Sequence, residues 1–178
     1  MSGETKPYTR ESTWWYMGLL LVAVAVSQGL GFSNLSVPSL WHDELIHSYV
    51  GKSIAETGQA QLPSGMPYHN GSTFNYILAL MISLFGMTET ALRSPSVLLA
   101  GLNVVLTYVV IKPLLGRPTA LAAAFGMALS PWTVAWSREA RFYTLQQTLY
   151  LATVGLFWMA AYAPQRNKAI VAAMGAIV

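Results

Sequence analysis

Residues 14–32 read WWYMGLLLVAVAVSQGLGF, a run without a single charge, and its reading decides the fold. A helix needs roughly 20 apolar residues to cross a bilayer. A secretory leader has a shorter apolar core and ends in a small-x-small cleavage site, which is lacking here, so the run reads as an anchor that stays in the membrane. Working outward, further uncharged stretches run through 57–88, 94–111, 118–137, 142–165 and from 169 onward. By length, spans are expected over 14–33, 95–112, 118–136 and 143–163, with 169–178 reading as a fifth cut midway. No basic tail or capping signal follows Val178, so the expectation is the N-terminal part of a longer protein. The expected class is an all-α integral membrane protein, a multi-span helical bundle.

Composition supports that class. Hydrophobic residues make up 54% and charged residues 10%, where a soluble domain carries about 25% charged residues. The net charge of +3 comes from short cationic clusters between apolar runs, with no basic patch interleaved with aromatics. Orientation in a membrane explains such clusters, and nucleic acid is not an expected partner. Cysteine is absent, which excludes disulfides and thiolate metal sites.

The segment from Phe74 to Met87 decides the topology. At about 14 residues it is short for a span and suits a helix lying at the interface. If it does not cross, the inner loops hold six cations (Lys6, Arg10, Lys112, Arg117, Arg166 and Lys168). The outer loops then hold four, Lys52, Arg93, Arg138 and Arg141. If it crosses, the split is five to five, so the positive-inside rule favours the non-crossing arrangement. Residues 1–13 are then a cytoplasmic N-terminus, and residues 34–94 one long extracytoplasmic loop carrying two juxtamembrane helices. Trp14, Trp15, Trp132 and Trp136 sit near the interfaces as aromatic belts. Small residues from Ala122 to Ala128 suit close helix packing.

Within the loop, Ser39 is placed to N-cap a helix that carries Asp43 and Glu44 at its positive end and Gly58 past its last turn. Trp41, Leu45, Tyr49 and Ile54 form its expected membrane-facing stripe. The stretch 62–72 is turn-rich, too polar to span and too long for a simple connector.

Charges are scarce, so those that cluster beside spans need a reason. Asp43-Glu44 and Arg138-x-x-Arg141 fall on the same face only in the non-crossing topology. A carboxylate at a helix N-terminus is favoured in its charged form and can take a proton from an attacking hydroxyl. Arginines three apart share a helical face and can grip phosphate oxygens with bidentate hydrogen bonds. Tyr143 and His69 can add hydrogen bonds. Plainer readings stand beside these: an acidic pair that caps a helix, arginines that snorkel at a span end, a belt tyrosine, a solvated Lys52 and an Arg93 that starts a span or pairs with an acid. Glu44-x-x-His47 and Asp43 with His47 have metal-ligand spacing. No second such pair exists, and His42 to His47 is the wrong interval for the zinc-helix motif.

Taken in order, these elements resemble a known family. The first span is followed by Trp41-His42-Asp43-Glu44, then by a Pro/Gly loop with Tyr68-His69, by Leu84-Phe85-Gly86 and by Arg93-Ser94-Pro95-Ser96. Gly101, Ala128-Leu129-Ser130-Pro131 and Ser137-Arg138-Glu139-Ala140-Arg141-Phe142-Tyr143 come next. The series is similar to the N-terminal third of a C-type membrane glycosyltransferase (GT-C) of the protein-mannosyltransferase-like group, glycosyltransferase family 39. It covers nearly all of 14–163, and its specificity lies in the order of short motifs.

The resemblance implies a polyprenyl- or dolichyl-phosphate sugar donor, an acceptor hydroxyl on protein, lipid or glycan, and an active site on the outer face of a prokaryotic cell membrane. It implies Asp43 as general base, Glu44 as its partner acid, and Arg93 as a structural or site-facing arginine. Arg138 and Arg141 would lie near the donor phosphate. The family's protein mannosyltransferases invert configuration without a metal, so no cofactor is expected. A divalent cation, as in oligosaccharyl transferases of the same superfamily, is the open alternative, as is a non-catalytic membrane subunit. A transporter would place charges inside its spans, and the first four spans carry none at their midplanes. Family members have several hundred residues and more spans, so this length alone is expected to be incomplete as an enzyme.

Overall fold

The computed structural model describes residues 11–162. The expected span 169–178, most of the N-terminal tail with Lys6 and Arg10, and the cations Arg166 and Lys168 lie outside the described residues. The described chain is all-helical: α1 (Glu11–Phe32), α2 (His42–Thr57), α3 (Ser72–Phe85), α4 (Glu89–Leu129), α5 (Pro131–Ser137) and α6 (Tyr143–Tyr162).

Two of these helices, over 14–32 and 89–129, are long and apolar enough to cross a membrane. Helix α1 exposes apolar residues around most of its surface, among them Leu19, Leu21, Val22 and Phe32. A helix apolar on nearly every side is suited to lipid.

Helix α4 covers residues 95–112 and 118–129 of the two expected spans 95–112 and 118–136, and both of its ends fall elsewhere than expected. It starts at Glu89, capped by Thr88, whose hydroxyl accepts from the N–H of Ala91 at 3.2 Å, so the first arm begins six residues early. Its second arm ends at Leu129, seven residues before the apolar run does. Pro131 forces Ser130 into an extended conformation (φ −60°, ψ 120°), and the Ser130 hydroxyl caps a new helix, α5, with Pro131 in its first turn.

Between the arms, Gly116 adopts φ 83° and ψ 171°, a conformation that side-chain-bearing residues avoid. A straight helix would separate Asn103 from Met127 by about 36 Å. Yet both side chains meet Gln147: the Asn103 amide donates to Gln147 Oε1 at 3.1 Å, and Gln147 Nε2 donates to Met127 Sδ at 3.4 Å. Gly116 therefore reverses the chain, and the arms fold back on each other. Val104 and Tyr108 of one arm pack with Ala120, Ala124 and Ala128 of the other and with Leu20 and Ala23 of α1. The small residues of the second arm permit this close approach.

Helix α6 packs against α4. Its 20 residues cover 143–162 of the expected span 143–163, but Gln146 and Gln147 lower its apolarity, and it is not among the two helices above.

The two loop helices pair with each other. Trp41, not Ser39, is the N-cap of α2, because the Ser39 carbonyl is engaged by Arg93 and the Trp41 N–H is held by Glu44. Gly58 closes α2 in the left-handed conformation (φ 75°). Of the expected outward stripe, Trp41 and Tyr49 are exposed, whereas Ile54 is buried against Val50 and Ala79. Five residues turn a helix by about 500°, so Ile54 lies well off the face of Tyr49.

Candidate active site

The site is organised by a buried ion pair. Glu44 and Arg93 are 0% and 2% exposed, and all five guanidinium N–H donors of Arg93 are used. Nε and one Nη2 hydrogen donate to the Glu44 carboxylate at 2.9 and 2.8 Å. Nη1 donates to the carbonyls of Leu35 and Pro38 at 2.9 and 2.8 Å, and Nη2 to that of Ser39 at 3.2 Å. Glu44 in turn accepts from the N–H of Trp41 at 3.0 Å and of Ala140 at 2.7 Å. Four chain segments meet here: the 35–39 connection, the start of α2, the start of α4 and the turn between α5 and α6. A buried pair is tolerable only when its remaining donors and acceptors are satisfied, as they are here. Burial pushes the Glu44 carboxyl upward. The Arg93 guanidinium and the two backbone N–H groups outweigh it and hold the group below its ordinary range.

The Ala140–Glu44 bond sets the register of their neighbours. Asp43, one residue before Glu44, meets Arg141, one residue after Ala140, with Nη2 and Oδ2 3.1 Å apart. The Arg141 guanidinium also lies over the Tyr143 ring, 4.5 Å from its centre, and the same Nη2 donates to the Tyr143 hydroxyl at 2.8 Å. Asp43, Arg141, Tyr143, His47, Tyr68 and Asn70 border a pocket of about 140 Å³.

Tyr143 also borders a second, larger hollow of about 430 Å³ between Trp132, Trp136 and Tyr150. Trp132–Trp136 and Trp136–Tyr143 are edge-to-face pairs at 5.4 and 4.5 Å, so the aromatic wall is continuous. A small polar pocket thus opens beside an aromatic groove, with Tyr143 in both walls.

Not every residue expected at the site reaches the pocket. Residues 138–142 form a turn, so Arg138 and Arg141 do not share a helical face. Arg138 donates to the carbonyls of Leu30 and Asn34 at 3.1 and 3.5 Å and so ties the turn to the end of α1. The orphan carbonyls at a helix C-terminus attract a cation in this way. His69 is exposed, and its carbonyl accepts from Ser72 at 2.6 Å. Arg93 is bonded to Glu44 and does not border the pocket that Asp43 lines. Glu139 is half-buried beside Arg141 at 4.0 Å, and burial followed by the charge of Glu44 raises its carboxyl.

Sequence reasoning passed over His47 except as a metal-like spacing. It lies 2.8 Å from Asn75 and packs edge-on against Tyr68 and Phe142. Among the described residues no three His, Asp or Glu side chains gather to hold a metal ion.

Two of these shifts set the acid side of stability. Burial, outweighing the bond to Asn75, holds His47 below its usual 6.5, and Glu44 is also lowered. For both groups the unfolded chain binds more protons, so stability rises with pH. Glu139, raised in the fold, opposes this only in the carboxylate range. The thermal midpoint is expected to start falling as pH drops below about 6.5 and to fall faster through the carboxylate range. Intrinsic tryptophan fluorescence on heating checks this, and in His47→Asn the first phase should vanish.

A family model described as dolichyl-phosphate-mannose-protein mannosyltransferase matches residues 70–178, more than half of the chain. The match takes in Arg93, Arg138, Arg141 and Tyr143, while Asp43, Glu44 and His69 precede it. No curated protein and no solved structure matches the chain. The chain belongs to the dolichyl-phosphate-mannose-protein mannosyltransferase family, a family of membrane glycosyltransferases.

Proposed function

We propose that this chain carries the base and phosphate-binding part of an enzyme that moves a sugar from a polyprenyl-phosphate carrier to an acceptor hydroxyl on the extracytoplasmic face. The observation that carries the reading is the junction at Tyr143, where a pocket with a carboxylate and a guanidinium meets an aromatic groove. An amphiphile with a charged phosphate and a long apolar tail fits that pairing of surfaces. The tail lies along Trp132, Trp136 and Tyr150, and the phosphate meets Arg141 and the Tyr143 hydroxyl.

Arg141 then links binding to chemistry. Donor phosphate competes for the guanidinium that Asp43 otherwise holds, which frees the carboxylate to face the acceptor hydroxyl. The hydroxyl oxygen bonds to the anomeric carbon as the bond from that carbon to the phosphate oxygen breaks. The proton passes to Asp43, and the phosphate leaves with the electron pair beside Arg141. Glu44, fully buried, acts as a positioning acid, Arg93 holds it, and Arg138 anchors the turn.

Arginine and lysine differ at a bidentate, stacked site. Arg141→Lys keeps the charge and loses the fork and the stacking on Tyr143. The donor KM is expected to rise about tenfold, a change of about 1.4 kcal/mol, with the acceptor KM little changed. Steady-state kinetics with each substrate varied in turn checks this. An unchanged donor KM contradicts the phosphate role.

A further inference from the structure

His47 is left unused by that reaction, yet it forms part of the pocket wall. Its surroundings fix its chemistry. The Asn75 amide nitrogen donates to the Asn70 carbonyl at 3.0 Å, and a carbonyl can only accept, so Asn75 Oδ1 must be the atom facing His47. That oxygen lies 2.8 Å from His47 Nδ1 and requires a donor there. In the neutral ring the proton therefore sits on Nδ1 and leaves Nε2 with a lone pair. Nε2 has no protein partner among the described residues. Tyr68 and Phe142 pack edge-on against the ring at 5.7 and 5.5 Å and brace it together with the bond to Asn75. The groups that face it are Asp43 of α2, Asn75 of α3, Tyr68 and Asn70 of the loop, Arg141 and Phe142 of the turn, and Tyr143 of α6.

We infer that His47 Nε2 is a fixed hydrogen-bond acceptor that reads a ligand hydroxyl in the pocket, and so determines specificity for the polyhydroxylated partner bound between Asp43 and Arg141. Asp43 is also an acceptor, but it serves the reacting hydroxyl, whereas Nε2 is placed for a neighbouring hydroxyl. Burial keeps the ring neutral, which preserves the lone pair. The hydroxyl belongs either to the sugar being transferred or to the acceptor. The inference rests on the function proposed above.

Two substitutions separate the ring nitrogens. His47→Asn keeps a donor toward Asn75 and loses the outer acceptor, while His47→Gln carries an amide out to the Nε2 position. In the purified protein, with sugar-phosphate lipid and acceptor varied separately, His47→Asn is expected to raise one KM roughly three- to tenfold, the worth of one neutral hydrogen bond. A rise in the donor KM assigns the hydroxyl to the sugar, and a rise in the acceptor KM assigns it to the acceptor. His47→Gln should recover most of the loss. In the wild type the affected KM should also climb as acid protonates Nε2, and this climb should be absent in His47→Gln. If His47→Asn changes neither KM, or His47→Gln is no better, the inference is wrong. Asp43→Asn in the same assay keeps the two readings apart. Loss of turnover there with both KM values unmoved in His47→Asn overturns the His47 role alone, whereas full turnover in Asp43→Asn overturns the proposed reaction.

Discussion

Asp43→Asn is expected to lower turnover by roughly 10²- to 10⁴-fold, the usual worth of a positioned general base. The size and shape of the side chain are kept, so the loss is chemical. The ion pair with Arg141 is half-exposed on the Asp43 side, at 52%. Such pairs contribute about 0–1 kcal/mol, so the thermal midpoint should barely move. The donor KM should stay level or fall, because Asn competes less strongly than a carboxylate for Arg141. Turnover and thermal unfolding measured on one preparation decide the matter. A loss of turnover that tracks a loss of folded protein would assign Asp43 to structure instead.

The largest stability effect belongs to the next residue along the chain. Glu44→Gln leaves Arg93 buried without its counter-charge and turns an amide NH₂ toward a site where every neighbour is a donor. Breaking a buried pair by removing one partner costs about 3–5 kcal/mol. The protein should lose most of its folded yield in detergent, and what folds should turn over poorly, since the Ala140 N–H that sets Arg141 opposite Asp43 has lost its anion. Arg93→Lys should not rescue the site: lysine offers three donors where the fold uses five. A Glu44→Gln protein that melts like the wild type would contradict a stabilising role for the buried Glu44–Arg93 pair.

These two acids are adjacent in sequence and differ completely in setting, Glu44 buried against Arg93 and Asp43 half-exposed beside Arg141. That division is only partly legible in the chain. The class of fold is legible because uncharged runs of span length admit few other readings, and Gly58 marks a helix end by its residue type alone. Arg93 as a partner for an acid is also suggested by its isolation beside an apolar run. The identity of that acid is not, because 49 positions separate Arg93 from Glu44 and the contact forms only when α2 docks on the start of α4. The hydrogen bond from Ala140 is carried by a backbone N–H, which no residue type advertises. Arg138 and Arg141 look equivalent at helical spacing, and the turn after α5 sends one to the end of α1 and the other to Asp43. The break before α5, Ser130-Pro131, is present in the sequence, but a long apolar run around it reads as continuous helix, and the turn at 138–142 contains no glycine or proline to mark it. His47 is hidden for a related reason, since its role depends on Asn75 and Asn70, side chain and backbone brought together by the loop between α2 and α3.

Uptake of a polyprenyl phosphate at the Tyr143 junction can be followed by photolabelling. A polyprenyl phosphate with a diazirine in its first isoprene units is irradiated with the purified protein, and adducts are mapped by mass spectrometry. Labelling is expected within residues 131–150, at Trp132, Trp136 or Tyr150, suppressed by excess unlabelled lipid phosphate and weakened in Arg141→Ala. Adducts confined to other helices, or labelling indifferent to Arg141, would contradict it.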